Sequence, residues 1–267
     1  MQDPKFRFPF AAGLAAFVLS LAAPGAALAD EFAFADETFA RGQIVAMSVY
    51  LAAQPALSFN FDTSLDIVTP DDQKLTIASS GSLAMQRPDK LHVIRQGGFA
   101  LVEATFDGKV LSVLNRDAMA YAQADLPGSV DALVTFMHDE LGRPVPGADL
   151  LLTDPAAVLM DGATDVKDLG AGVIGGTLCD HFAVRTADVD WQIWVAQGDT
   201  PYPCRYIITN KSVAGWPEYR LDLSSWGKGS AAAEFVFEPP AGAKLSDVRE
   251  IPDLDEVAGV FVIKEAN

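Results

Sequence analysis

The chain has 267 residues, of which 50% are hydrophobic, and its 19 Lys and Arg against 36 Asp and Glu give a formal net charge of −17. A surface this acidic repels phosphate backbones and anionic headgroups, which excludes nucleic acid as a partner and stable docking on an anionic membrane face. The length suits one large β domain.

Lys5 and Arg7 form a positive n-region, residues 8–23 an uncharged and mostly apolar stretch, and Ala27-Leu28-Ala29 a small-x-small cleavage motif before Asp30. This pattern predicts a secretory signal peptide over residues 1–29, cleaved after Ala29, and hence a periplasmic protein. The apolar run is about 16 residues, short of the roughly 20 that a spanning helix needs. No cysteine follows it to carry a lipid, and no later run is apolar enough to span a bilayer, so the cleaved chain is not membrane-spanning. Residues 30–245 read as a single domain and 246–267 as a C-terminal tail that no pattern places.

Glu37 to Ala53 carries Phe39, Ile44, Met47, Tyr50 and Leu51 near helical spacing, with Asp36 placed to cap the start and Pro55 to end it. The period then changes. From Ser58 to Val68, Phe59, Phe61, Leu65 and Ile67 alternate with polar residues, and from Lys74 to Gln86, Leu75, Ile77, Leu83 and Met85 share one face. The turn Thr69 to Asp72 joins the two into a long hairpin. Leu91–Gln96, Phe99–Phe106, Val110–Leu114 and Met119–Ala124 follow as short strands, separated by Gly97-Gly98, Asp107-Gly108 and Asn115-Arg116-Asp117. This spacing predicts an antiparallel meander.

The meander is interrupted by a helix from Ser129 to Leu141, capped by Ser129 and carrying Leu133, Phe136 and Met137 on one side. Leu150 to Leu152 and Pro155 to Met160 read as short helices, with Thr153 or Asp154 as a cap. Strands resume at Val166, run in succession through Gly175 to Asn210, continue over Tyr219 to Trp226 and end near Phe235-Val236-Phe237. The strands are too polar on one face for a sheet buried on both sides. The expected fold is therefore mainly β (α+β): one wide, curved antiparallel sheet of about ten or eleven strands wrapped around an N-terminal helix and a mid-chain helical insertion.

Cys179 and Cys204, the two cysteines, form one disulfide if the compartment is oxidising. A middle strand separates them, and next-nearest strands lie nearly 10 Å apart. A bridge needs Cα atoms within about 7 Å, so it requires the middle strand to end or bulge near Gln197-Gly198.

The words Cys179-Asp180-His181-Phe182, Asp190-Trp191-Gln192-Ile193-Trp194 and Pro201-x-Pro203 followed by Arg205 resemble a bacterial family of exported proteins, the domain of unknown function numbered 2092. Arg87-Pro88-Asp89-Lys90 and Phe237-x-Pro239-Pro240-Ala241-Gly242-Ala243 belong to the same resemblance, which covers roughly Phe39 to Ala243. That family is similar in architecture to the periplasmic lipoprotein carriers LolA and LolB. The resemblance implies an unclosed, LolA-like half-barrel whose concave face holds acyl chains under a helical lid. It does not transfer the carriers' latch residues, which no motif here matches, and fold alone does not fix function.

Candidate chemistry is sparse. Gly170 to Gly175 spells GxGxxG, but a β-patterned segment follows it where a dinucleotide site needs a helix. Cys179 and His181 share a strand face and could pair a thiolate with a base, or could be a disulfide cysteine beside a structural histidine. His92, His138 and His181 have no zinc spacing. Asp188 with Asp190, or Asp161 with Asp165 and Asp168, sit in no calcium-loop pattern. No catalytic residue, metal or cofactor is assigned, and the expectation is a protein that is not an enzyme.

The apolar face is the better lead. Phe59, Phe61, Leu65, Ile67, Leu75, Ile77, Leu83 and Met85 are expected to line the inside of the first hairpin, with Phe136, Met137, Leu151 and Met160 covering it from the insertion. The leading expectation is a binding protein for a lipid, acyl chain or lipoprotein. A packed core has the same composition as a pocket lining, however. The alternative is an envelope interaction or stress-sensing module with a filled core, meeting a protein partner through sheet edges or Trp216 and Trp226. A thiol enzyme using Cys179 and His181 is the third reading.

Overall fold

The computed structural model describes residues 37–143, 145–227 and 235–257. The predicted signal peptide and the predicted Asp36 cap lie outside the described residues. The chain opens with helix α1 (Glu37–Ala53), then strands β1 (Ala56–Val68), β2 (Lys74–Gln86), β3 (Lys90–Gly97), β4 (Leu101–Phe106), β5 (Val110–Asn115) and β6 (Ala120–Asp125). Helix α2 (Val130–Asp139), a 3₁₀ turn (Ala148–Leu151) and helix α3 (Pro155–Leu159) form the insertion. Strands β7 (Asp165–Ile174), β8 (Thr177–Arg185), β9 (Val189–Ala196), β10 (Pro203–Asn210) and β11 (Glu218–Gly227) complete the main body, with a two-residue β12 (Lys244–Leu245).

All twelve strands belong to one sheet, ordered β12-β6-β5-β4-β3-β2-β1-β11-β10-β9-β8-β7. Every neighbouring pair is antiparallel except β12 with β6. Two meanders meet at the β1–β11 pair, and the outermost strands β7 and β12 do not pair with each other. The fold is thus a mainly β, unclosed half-barrel. Because β6 lies near one end of the sheet and β7 forms the other, the α2–3₁₀–α3 connection must travel across the sheet. That path is why the helical insertion roofs the concave face.

The alternation in β1 sets the orientation: Leu57, Phe59, Phe61 and Thr63 are buried while Asn60 and Asp62 are exposed. Along α1 the buried stripe is Ala40, Ile44, Met47 and Leu51. Phe39, expected on that stripe, is 44% exposed and meets the core only edge-on at Phe182, with ring centroids 6.2 Å apart. Small Ala40 occupies the seam instead, letting α1 approach β7, β9 and α3.

Ser129 caps α2 by accepting from the Ala132 N–H, and Asp154 caps α3 by accepting from the Ala157 N–H. Two expectations are corrected. Phe235 to Phe237 is not a strand; Phe235 is buried there as a single anchor. The GxGxxG run belongs to a β-hairpin: Gly170 sits at a register break in β7, and Gly175 (φ 55°) and Gly176 (φ 86°) form the turn into β8. Both turn residues need positive φ, which explains the Gly-Gly pair without a phosphate.

Cys179 and Cys204 are joined in a disulfide with Cα atoms 7.0 Å apart. The middle strand β9 ends at Ala196, opposite Cys179, and the β10 register breaks between Pro203 and Arg205. The bridge therefore passes the end of β9, as the sequence geometry requires. Among the described residues no helix is long and apolar enough to cross a membrane.

Candidate functional site: a cavity in half of the concave face

The concave face is divided. Over β7–β9, α1 and α3 pack into it, and the resulting core includes Ile44, Met47, Phe182, Val184, Trp191 and Ile193. Over β1–β5 and β11 the helical cover is partial: Leu133, Phe136 and Met137 of α2 pack against Val102, Phe106, Leu111 and Val113 on β4 and β5. A cavity of about 400 Å³ remains there, within the range of small-molecule sites.

Its floor follows from strand register. Phe59 pairs with Leu83, Leu83 with Val93, Val93 with Ala104 and Ala104 with Val113, so one apolar row crosses five strands. The next row runs Leu223, Phe61, Gly81, Arg95 and Val102. Gly81 is required at its place, because a Cβ there would lie 2.3 Å from Phe61 Cζ and 2.1 Å from the Ile94 carbonyl oxygen. The missing side chain lets the Phe61 ring lie across β2. The roof comes from Met137 and Leu141 at the end of α2 and from residues 145–148, Leu150 and Leu151. Val248 and residues 254–257 of the C-terminal segment close one side.

Of the residues expected to line this space, Phe59, Phe61, Leu65, Leu83, Met137 and Leu151 do so. Met85 is fully buried in the main core, and Met160 packs on the same core. Phe136 packs against the cluster built on Phe106 and Leu111. Ile67 is buried, and Leu75 and Ile77 are half-buried, near the β1–β2 turn and outside the cavity. Each strand of that hairpin has 13 residues, so it outruns the space that the insertion covers. Sequence reasoning did not single out Ala104, Leu221, Leu223, Arg95 and Arg143. Arg95 was findable, since it follows Leu91 and Val93 on the inner face of β3.

Arg95, Arg143, Tyr219, Asp255 and Glu256 line the cavity and continue into a compact polar cluster behind its wall. Thr63 and Ser79 are a cross-strand pair, 5% and 8% exposed, with hydroxyl oxygens 2.7 Å apart. Their hydroxyls lie 3.0 and 3.2 Å from Glu256 Oε1. Arg95 Nη2 donates to the Leu254 carbonyl at 2.6 Å, and its Nη1 lies 4.0 Å from Glu256 Oε1. Tyr219 is pushed above the usual tyrosine range by burial and then by the Glu256 charge. Arg143 Nε lies 3.6 Å from Asp255 Oδ1, and Asn115 Nδ2 donates to the Pro252 carbonyl at 2.9 Å.

Beneath the roof, Tyr206 donates to Asp149 Oδ2 at 3.0 Å, and burial holds the Asp149 carboxyl above its ordinary value. The folded protein then binds a proton that the unfolded chain has released, so this group's contribution to stability falls as pH rises from about 4 towards the raised value. Asp149→Asn removes that titration. In thermal melts at a series of pH values, the variant should gain on the parent as pH rises above about 4; parallel curves would exclude the effect.

The other candidate chemistry resolves differently. Cys179 is held in the disulfide and offers no thiolate. His181 stacks on Trp194 with centroids 3.8 Å apart, lies with Nε2 3.0 Å from Gln192 Oε1, and is lowered by burial. Asp190 receives Arg185 at 2.9 and 2.7 Å and Lys211 at 3.0 Å, which brings its carboxyl to about 2. Asp165 pairs with Lys167, and Asp168 accepts from the Gly170 N–H. Trp226 packs between Phe59 and Tyr202 and donates to the Pro203 carbonyl, so its ring belongs to the core margin. Trp216 is 56% exposed.

The family model for DUF2092, described as a predicted periplasmic protein, matches residues 40–248. The chain belongs to this family. The match spans α1 through the first turn after β12, so it includes the sheet, the insertion and the cavity floor. No curated protein matches the sequence. Among solved structures, an uncharacterised conserved protein from Thermus thermophilus is similar at 7% identity and TM-score 0.47, over 77% of this chain and 98% of its own. The lipoprotein LppX of Mycobacterium tuberculosis aligns at 12% identity and TM-score 0.39, over 73% and 99%. A LolA superfamily protein from Nitrosomonas europaea aligns at 12% identity and TM-score 0.29, over 74% and 97%.

Proposed function

We propose that this DUF2092 protein is a non-catalytic periplasmic binding protein that holds one acyl chain, of a lipid or lipoprotein, in the cavity over β1–β5 and β11. The observation that supports this reading most strongly is the division of the concave face. A structural core would be filled throughout, yet α1 packs into the β7–β9 half and α2 covers the other half only over β4 and β5. The other half keeps about 400 Å³ behind a mostly apolar lining. Burying one methylene is worth about 0.8 kcal/mol, so ten contribute about 8 kcal/mol before ordering costs. That is enough for a reversible carrier or sensor.

Filling the cavity tests the reading. Ala104 sits in the middle of the apolar row, between Val93 and Val113. Ala104→Phe places a ring in the empty volume and should abolish uptake of a fluorescent apolar probe such as N-phenylnaphthylamine, with the melting temperature unchanged or raised. Undiminished uptake by a folded Ala104→Phe variant would place the ligand elsewhere.

A further inference from the structure

The polar cluster behind the cavity wall at Arg95 and Glu256 carries more than the proposed acyl-chain site requires. Thr63 and Ser79 lie outside the lining and turn two buried hydroxyls towards Glu256, which belongs to it. Arg95 adds a guanidinium on the same face of β3, its side chain only 14% exposed. In a chain of net charge −17, an arginine beside two buried hydroxyls is an anion site, not part of a general basic surface.

The group in that site is the chain's own Glu256. One of its oxygens takes both hydroxyls, at 3.0 and 3.2 Å, and lies nearest the guanidinium. The segment that delivers it is loosely built. After β12 and the Ser246 N–H bond to the Tyr121 carbonyl, residues 247–257 form no strand. They are held by buried Ile251, by Asn115 on Pro252, by Arg95 on Leu254 and Glu256, and by Arg143 near Asp255. Several of these anchors are side chains of the cavity wall reaching for carbonyl or carboxylate oxygen. Any anion that satisfies Arg95 and the two hydroxyls competes directly with the segment.

We infer that the ligand is a single-chain amphiphile with a carboxylate head, seated on Arg95, Thr63 and Ser79, and that Glu256 occupies this head-group site until the ligand displaces it. The inference rests on the acyl-chain reading and specifies it. A carboxylate fits because a carboxylate already sits there, and because one cation beside the hydroxyl pair balances one negative charge. The chain would run from that end along the row Phe59, Leu83, Val93 and Ala104, towards Met137.

The test compares dodecanoate with its methyl ester on the delipidated full-length protein, by competition against the fluorescent probe. The two share the chain and differ in the head. Arg95→Gln should weaken dodecanoate about tenfold or more and leave the ester nearly unchanged. Glu256→Gln removes the internal competitor's charge while keeping a side chain of the same size in the cavity wall, and should tighten dodecanoate about tenfold with little effect on the ester. Because Glu256 lies outside the sheet, this second variant keeps the test valid if Arg95→Gln folds poorly. If both variants shift acid and ester alike, or neither shifts the acid, the head-group site is refuted while the acyl cavity stands. If neither ligand binds the parent protein, the cavity reading fails and this one falls with it.

Discussion

Phe61→Asp should reduce binding of an acyl-chain probe about 100-fold while the sheet remains folded. Phe61 lines the cavity from the central strand β1, next to Leu223 on β11 and across Gly81 of β2. Its ring lies over Gly81 and forms part of the cavity floor, so removing it takes a large apolar contact from any ligand there. Burial of such a side chain is worth about 1.5–3 kcal/mol, and the new carboxylate adds the cost of drying a charge when the ligand enters. Without ligand the charge faces a cavity that water can enter, so the fold survives. Far-UV circular dichroism checks the fold and probe titration checks the loss. Unchanged binding by a folded variant would show that the ligand does not lie on β1.

Phe182→Ala should have the opposite profile. Phe182 is fully buried in β8, pairs with Ile193, and touches Phe39 of α1. It lies in the filled half and lines no part of the cavity. Truncating a buried phenylalanine costs about 3–5 kcal/mol, a large share of the roughly 5–15 kcal/mol that holds a domain together. The denaturation midpoint should fall steeply at constant slope in urea. Probe affinity at low temperature should stay near that of the parent. A loss under about 1 kcal/mol would mean that α1 is not seated on β8 as described.

These two residues show what the sequence could and could not disclose. Period-two alternation located β1 and β2 within a few residues, because a half-buried strand writes its two faces into successive positions, and the turn residues between short apolar segments located β3 to β6. The Ser129 cap was readable from side-chain chemistry alone, and the cap of α3 was narrowed to Thr153 or Asp154, of which Asp154 is the one that accepts. Phe61 and Phe182, by contrast, look alike in a hydrophobicity pattern, although one faces a cavity and the other a packed helix. The difference arises from where α1 and the insertion settle across the sheet, a tertiary property that no local period encodes. The stripe on α1 shifted from Phe39 to Ala40 for the same reason: the seam needs a small residue. Phe235 to Phe237 had strand composition, yet they are fixed by single side chains, Phe235 by burial and Phe237 by its ring on Tyr121. The C-terminal segment had no period, because its contacts are single polar atoms: the Leu254 and Pro252 carbonyls and the Glu256 carboxylate.

The most direct test is native mass spectrometry of the full-length mature protein purified from its own periplasm, followed by organic extraction. The expected result is a bound species of lipid mass, lost on extraction and regained on incubation with a single-chain fatty acid. A clean unliganded mass with no uptake of fatty acid or phospholipid would contradict the acyl-chain reading and direct attention to a protein partner in the envelope.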